Sequence, residues 1–463
     1  MRFKSLDEWL AWQESLNPKE IDLGLERVSR VLHQAGLKNT FDCPLITVAG
    51  TNGKGSVVAM LEAIAIAAGL KVCSYTSPHI FHYNERIKIN AQPVDDAVLC
   101  ESFQRIDETR AKLPLTYFEF GTLAAIDIFH RQQAGLVILE VGLGGRLDAV
   151  NIMDADVSVI SSIDIDHVDW LGDNRELIAY EKAGIFRMQQ PVICGEYDAP
   201  LSLISEAEKK QCQLLLSGRD YEVASDHAKN QDWWTLSSTY GDLAGLPVPN
   251  LIGEFQKNNA ATAIMAFQTL LESKKLTLEA DFFSVLTKAL VAINLYGRFQ
   301  KVNLKPLVYV DVAHNPQAAL ALSSQLKKRQ WQSVSGKTWA IVAMLADKDI
   351  TGVLSKLVDD VDIWCFSGLE ISHRGQSVTS LYQGLPGSLF IHEKPLMTQQ
   401  NQQDLALNQC TILSETVLLA ETVKTACNLL LSKAAEDDRI VIFGSFYTVA
   451  EAMQFFSDNN VYI

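Results

Sequence analysis

The chain has 463 residues, 48% of them hydrophobic and 21% charged, with a formal net charge of −15 at pH 7. That is the make-up of a globular protein with ample chain for sizeable cores and room for two or three domains. The acidity argues against nucleic acid or an anionic membrane surface as the main partner, and leaves anionic small ligands to local basic loops. The eight cysteines are scattered, with no C-x-x-C or metal-finger spacing, so reduced thiols in a cytoplasmic protein are expected. The first residues lack the apolar stretch of a secretory signal, and no apolar run approaches about 18 residues, so no membrane span is expected.

In chain order, residues 5–16 read as a capped amphipathic helix, and residues 21–27 open a second helix capped by Asp22. Leu45, Ile46, Thr47 and Val48 read as a short buried strand. A glycine-rich turn bearing one lysine follows, then an apolar, alanine-rich helix over 57–68, ended by Gly69. Strand, glycine loop, lysine and helix together cradle phosphates, because loop N–H groups and the positive helix end face the anion and Lys54 adds a point charge. The spacing departs from G-x-x-x-x-G-K-[ST]: Val48 stands where the first glycine falls, and Gly55 separates Lys54 from Ser56.

From the loop onward, apolar strands run straight into reactive residues. Residues 70–75 lead to Ser77 and His79, residues 136–139 to Glu140, and residues 157–163 to Asp164, Asp166 and His167. Ligands of open parallel sheets bind beyond the carboxyl ends of the strands, so Lys54, Ser77, Glu140 and His167 are expected at one crevice. Each has a plainer reading: Ser77 as a turn former, Glu140 as a helix cap or partner of Arg146, His167 as a surface histidine. Together a hydroxyl, a carboxylate and an imidazole suit Mg²⁺ bridging nucleotide phosphates. Imidazole is commoner on zinc, which leaves a transition metal open on chemistry alone. Lys182, taken by itself, reads as an exposed helical lysine.

Residues 217–250 are polar and turn-rich, as in a surface hairpin or insertion. A long alanine-rich helix starts after Gly253, with Asn258 and Asn259 at its opening. The break at 296–300 marks a boundary, giving domains 1–296 and 297–463. Strands in the second domain lead to His314, Asp347, Ser367 and Ser445. Residues 394–411 are glutamine-rich and low in pattern, as in a surface insertion. The expected fold is α/β: a P-loop ATPase domain with a mostly parallel sheet, plus a smaller Rossmann-like domain.

Seven stretches occur in an order that covers nearly the whole chain: Gly50-Thr-Asn-Gly-Lys-Gly-Ser56, Thr76-Ser-Pro-His79, Glu140-Val-Gly-Leu-Gly-Gly-Arg-Leu-Asp148, Asp166-His167, Glu181-Lys-Ala-Gly-Ile185, Gly297-Arg-Phe299 and Asp311-Val-Ala-His-Asn-Pro316. This order resembles the folylpolyglutamate synthases of the Mur ligase superfamily. Residues 21–27 with 114–122 resemble the bacterial bifunctional branch, dihydrofolate synthase plus folylpolyglutamate synthase.

The resemblance implies an ATP-dependent amide ligase. A carboxylate, from 7,8-dihydropteroate or from the γ-carboxylate of a reduced folate, becomes an acyl phosphate, and the amine of L-glutamate displaces the phosphate. It implies that Thr51, Asn52, Gly53, Lys54, Gly55 and Ser56 hold the triphosphate, and that Asn259, Arg298 and Asp311 contact adenine, ribose and phosphates. Ser77, Glu140 and His167 match magnesium ligands, and Lys182 matches a lysine that is carbamylated to help hold a second Mg²⁺. Asp22, Leu23, Gly24, Leu25, Thr116, Tyr117, Phe118, Glu119, Leu147, Asp148 and Ala149 match a pterin pocket. His314 matches a histidine near the phosphates and the incoming glutamate, with Ser372 and Ser445 as weaker glutamate candidates. K⁺ and a monomeric state are family expectations. A monofunctional folylpolyglutamate synthase is the nearest alternative. A peptidoglycan-type Mur ligase is a more distant one, since about 50 residues precede Lys54, fewer than an independent domain needs.

Overall fold

The structure is a computed structural model that describes residues 2–17, 19, 21–225, 233–273, 275–328, 336–369, 374–389 and 394–459. Internal contacts divide the chain into two compact units, Met1–Asn294 and Leu295–Ile463. Among the described residues, no helix is long and apolar enough to cross a membrane.

The first unit is built on an eight-stranded sheet whose strands are β1 Leu45–Ala49, β2 Val72–Tyr75, β3 Ile87–Ile89, β4 Gln92–Pro93, β5 Leu136–Glu140, β6 Val157–Ile160, β7 Pro191–Cys194 and β8 Gln213–Leu216. Their order is β4-β3-β2-β5-β1-β6-β7-β8. The six from β2 to β8 are parallel, and β3 and β4 form an antiparallel extension. β1, β2, β5 and β6 are buried at every position, which is why they read as continuous apolar runs. The helix after β1 runs Lys54–Ala67, three residues earlier than the apolar pattern suggests, because Gly53 turns the chain at φ +85°. At its other end Gly69 lies at φ +80°. There the Gly69 N–H donates to Ile66 O (3.0 Å) and the Leu70 N–H to Ala65 O (2.9 Å), a Schellman stop.

The first helix, Leu6–Leu16, has the expected cap at Ser5, closed reciprocally with Glu8. The second begins only at Glu26, behind Leu25, and Asp22 does not cap it. Asp22 instead accepts from Arg27 at 2.6 Å, an ion pair that outweighs its local capping preference. Residues 217–250 are more than a hairpin: β9 Tyr221–Ser225, β10 Trp233–Ser238 and β11 Leu243–Pro247 form a separate antiparallel sheet, anchored by buried Trp234.

The second unit has a seven-stranded sheet of β12 Gln300–Leu304, β13 Leu307–Asp311, β14 Thr338–Val342, β15 Ile363–Ser367, β16 Cys410–Ser414, β17 Val417–Ala420 and β18 Arg439–Phe443. The order is β12-β13-β18-β14-β15-β17-β16, five parallel strands between two antiparallel edges. Residues 394–411, low in pattern as a sequence, are nonetheless ordered: Thr398 caps a helix over Gln399–Asn408 that leads into β16. Both units are α/β with mostly parallel sheets.

Candidate active site

The loop between β1 and the helix Lys54–Ala67 is stitched to the chain leaving β6. Thr51 N–H donates to Ser162 O (2.8 Å), Asn52 N–H to Ser162 Oγ (3.0 Å), and Ser161 Oγ to Asn52 O (2.7 Å). Thr51 Oγ1 both donates to Asp164 O and accepts from its N–H, each at 3.0 Å. The glycines are required by space. A Cβ on Gly50 would lie 1.9 Å from Ser161 Oγ, and one on Gly53 would lie 2.7 Å from Asn259 Oδ1. Lys54 Nζ bends back to Gly50 O (3.0 Å) and Thr51 O (3.2 Å), so its charge sits over the loop it belongs to. Gly55 and Ser56 lie in the first turn of the helix, where backbone N–H groups have no partner within the helix and can receive an anion.

β2, β5, β1 and β6 are consecutive in the sheet and parallel, so the segments after them share one edge. Ser77 N–H donates to Glu140 Oε2 at 3.2 Å. Glu140 is 4% exposed. His79 accepts from Arg86 Nε at 2.8 Å, and burial and that guanidinium push its imidazole down to about 4, so it is neutral. His167 sits in the left-handed region at φ +53° ahead of the short helix Val168–Leu171, with Nε2 3.9 Å from Asp166 Oδ2. Lys182, the last residue of the helix Arg175–Lys182, is buried rather than exposed. Burial and the charge of Lys54 push its amine down to about 7, against the pull of Asp166. The two lysines and Asp166 therefore belong to one electrostatic cluster.

Among the described residues no three His, Cys, Asp or Glu side chains form a metal cluster. The donors that follow the strands of this edge are mixed in type: the Glu140 carboxylate, which accepts from the Ser77 backbone, the Ser77 hydroxyl after β2 and the His167 imidazole after β6. Such a partial, oxygen-rich shell fits a hard cation that takes its remaining ligands from phosphate oxygens and water.

The residues matched to a pterin pocket form two connected groups. Arg27 bridges Asp22 and Glu119, donating to both Glu119 oxygens at 2.8 Å and to the backbone oxygen of Asp22. Leu23, Gly24 and Leu25 are half-buried between them in sequence. Thr116 caps the helix Tyr117–His130 reciprocally with Glu119. The ring of Phe118 lies where a Cβ on Gly142 would be, 2.6 Å away, and Tyr117 packs edge-on to Tyr83. Asp148 is fully enclosed and accepts from Gly142, Leu143 and Val150 N–H groups. Burial outweighs these bonds and pushes its carboxyl up to about 6. Leu147 is exposed and Ala149 buried.

In the second unit, β13 and β18 are neighbours, with Asp311 opposite Phe443. Asp311 accepts from Phe299 and Ala313 N–H groups at 2.8 Å, and burial raises its pKa while Arg298 lowers it. His314 Nδ1 meets Val312 O at 2.8 Å, which places the proton on Nδ1 and leaves Nε2 as the other face of the ring. Phe446 lies under the Arg298 guanidinium at 5.6 Å and 6.4 Å from the His314 ring. Ser445 caps the helix Phe446–Asp458 through Thr448. Ser372 lies outside the described residues.

Two further residues support the first unit's site: Gln256, which sequence reading passes over, and Arg146, which it offers as a partner of Glu140 and which pairs elsewhere. Gln256 is fully buried and accepts from Asn259 Nδ2 at 2.9 Å, holding the amide that touches Gly53. Its own Nε2 has no partner among the described residues. Arg146 ties the turn after β5 to the end of the Lys182 helix. Gln256 carries no sequence signal beyond being a polar residue close to Asn259, whereas Arg146 lies within the matched 140–148 stretch.

Two family models match: the Mur ligase middle domain over residues 48–267 and the Mur ligase glutamate ligase domain over 297–446. The dihydrofolate synthase/folylpolyglutamate synthase of Escherichia coli (strain K12) is 38% identical over 453 residues, covering 97% of this chain and 95% of that one. The enzyme of the same name from Haemophilus influenzae is 37% identical, covering 96% of each. E. coli FolC, solved with DHPP and ADP, superposes with a TM-score of 0.84 at 37% identity over 99% of both chains. The bifunctional Yersinia pestis enzyme, solved with AMPPNP and a Mn ion, gives a TM-score of 0.81 at 39% identity over 97% of this chain and 98% of that one. The chain belongs to the dihydrofolate synthase/folylpolyglutamate synthase family of ATP-dependent ligases, within the Mur ligases.

Proposed function

We propose that the chain adds L-glutamate to 7,8-dihydropteroate, forming dihydrofolate, and to the γ-carboxylate of tetrahydrofolates, using ATP for each amide. The observation that carries this reading is the carboxyl edge of the first sheet. A phosphate loop, the Glu140 carboxylate accepting from the Ser77 backbone, and a buried lysine with a depressed pKa stand on consecutive parallel strands or beside them. Relatives that match over nearly their full length bear both activities in their names.

A carboxylate is a poor acyl donor. Attack of its oxygen on the γ-phosphorus of ATP forms an acyl phosphate and releases ADP. The glutamate amine then forms the amide bond and phosphate leaves, with one proton lost from the amine. Two anions must meet, so the loop N–H groups and Lys54 offset the triphosphate charge. Ser77, Glu140 and His167 would hold Mg²⁺, with Lys182 as a carbamate at a second ion. The metal supplies charge neutralisation and a template for the phosphates. His314, with a proton fixed on Nδ1, would accept from the glutamate amine at Nε2, or donate from Nε2 to the phosphates once the ring is protonated. Asn259, Arg298 and Asp311 are assigned to the nucleotide, Ser372 and Ser445 to glutamate, and the Asp22–Leu25, Thr116–Glu119 and Leu147–Ala149 groups to the pterin. Residues 1–296 then form the ATP and pterin domain and 297–463 the glutamate-ligase domain. The protein acts as a cytoplasmic monomer on small molecules, without nucleic acid or membrane.

The test is an assay of the purified chain with ATP, Mg²⁺, L-glutamate and either dihydropteroate or a tetrahydrofolate. Product from both acceptors is expected. Product from folates alone reduces the claim to a folylpolyglutamate synthase, and none from either overturns it.

A further inference from the structure

Arg146 joins two segments that meet at the candidate site. Its backbone N–H donates to Glu181 O (2.9 Å), and its Nη2 donates to Tyr180 O (3.0 Å) and to Glu206 Oε2 (3.1 Å). The guanidinium lies over the Tyr180 ring, its Cζ 3.9 Å from the ring centre. Asn151 Nδ2 clips the same junction from behind, donating to Arg146 O (3.0 Å) and Gly184 O (3.2 Å). The approach is close enough to require glycine on both sides. A Cβ on Gly184 would fall 2.3 Å from Arg146 Cα, and one on Gly145 would fall 3.0 Å from the carbonyl oxygens of Glu181 and Lys182. A cation at a helix C-terminus also offsets the exposed carbonyl dipoles. The turn so held follows Glu140 and carries Asp148, and the helix end it grips carries Lys182.

We propose that Arg146 is a positioning residue that fixes the end of the Lys182 helix against the 142–148 turn, so that the Lys182 amine is delivered in register to the Glu140 edge. It rests on the reading of Lys182 as a carbamate. A lysine would keep the charge but lose the flat fork that stacks on Tyr180 and bonds two acceptors at once.

The experiment uses the full chain as wild type, R146K, R146M and E206Q, with ¹³C-labelled bicarbonate, Mg²⁺ and a non-hydrolysable ATP analogue. The carbamate ¹³C resonance is read alongside kcat and KM for ATP. The wild type is expected to show the resonance. R146M is expected to lose it and to lose kcat by about 100-fold, with KM for ATP changed far less, because small misplacements of a site group carry losses of that size. R146K is expected to fall between, and E206Q to shift in the same direction by less. If R146M does not fold, R146K and E206Q carry the same readouts. A labelled wild type with equally labelled, equally active variants whose only change is a lower Tm overturns the positioning role alone. A wild type with no carbamate resonance overturns the Lys182 reading, and this role with it.

Discussion

An amine enclosed beside a second lysine is held in the fold against its preference for water, and Lys182 is that amine. Burial and Lys54 bring it down to about 7 from an ordinary value of 10.5. Between those two pH values the unfolded chain holds a proton that the folded chain does not, so this residue makes the fold more stable as pH rises from 7 to 10.5. Below pH 7 its burial cost is constant. Lys182→Met removes that cost. In thermal melts without nucleotide, metal or bicarbonate, the variant should exceed the wild type by several degrees at pH 6, and the gap should close towards pH 10. Its ligase activity should be lost throughout, and short carboxylic acids should restore part of activity to Lys182→Ala. A smaller effect is expected at Gln256, which anchors Asn259 against Gly53 through one buried hydrogen bond. Gln256→Leu should raise KM for ATP by about 3- to 10-fold, the worth of one such bond, and leave kcat nearly unchanged in steady-state assays.

At the scale of elements, the glycine loop concentrates the constraint. Gly53 is held at φ +85° with Asn259 against it, so Gly53→Ala meets both backbone strain and a side-chain clash. The strain alone is about 1–2 kcal/mol. Binding of a fluorescent ATP analogue should weaken at least about tenfold, while the melting temperature falls by only a few degrees. The elements themselves were legible wherever burial was complete. β1, β2, β5 and β6 bury every residue and so read as apolar runs followed at once by reactive groups. Legibility failed where tertiary partners decided. Asp22 has the look of a cap, yet it pairs with Arg27, whose guanidinium is held by Glu119 from 92 positions away in the chain. The helix Gln399–Asn408 buries only Leu405, so it leaves no helical period in its sequence. Lys182 looked exposed because nothing local marks a helix end that a distant turn will cover. Arg146 invites pairing with nearby Glu140 for the same reason, whereas its acceptors lie 34 to 60 positions away in the chain.

For the whole molecule, two units with separate sheets make separate cores, and multi-domain chains need not unfold in one step. The two units also bear different parts of the proposed chemistry: the phosphate loop and metal edge in Met1–Asn294, and His314, Arg298 and Asp311 in Leu295–Ile463. This division makes the nucleotide assignment testable without turnover. A ligand that binds only the folded state adds RT ln(1 + [L]/Kd), about 2.7 kcal/mol at 100 times Kd. In calorimetry with Mg²⁺ and a non-hydrolysable ATP analogue, the transition that hydrogen exchange assigns to residues 1–294 should move upward by several degrees. Lys54→Ala should unfold at the wild-type temperature when no nucleotide is present and lose most of that shift. An equal shift in the variant would remove Lys54 from the phosphate site, whereas a variant already melting early would point to a role in the fold. The apolar composition of the Lys54–Ala67 helix favours the first separation: its core face is made by Val57, Val58, Leu61 and Ile64, and Lys54 adds nothing to it.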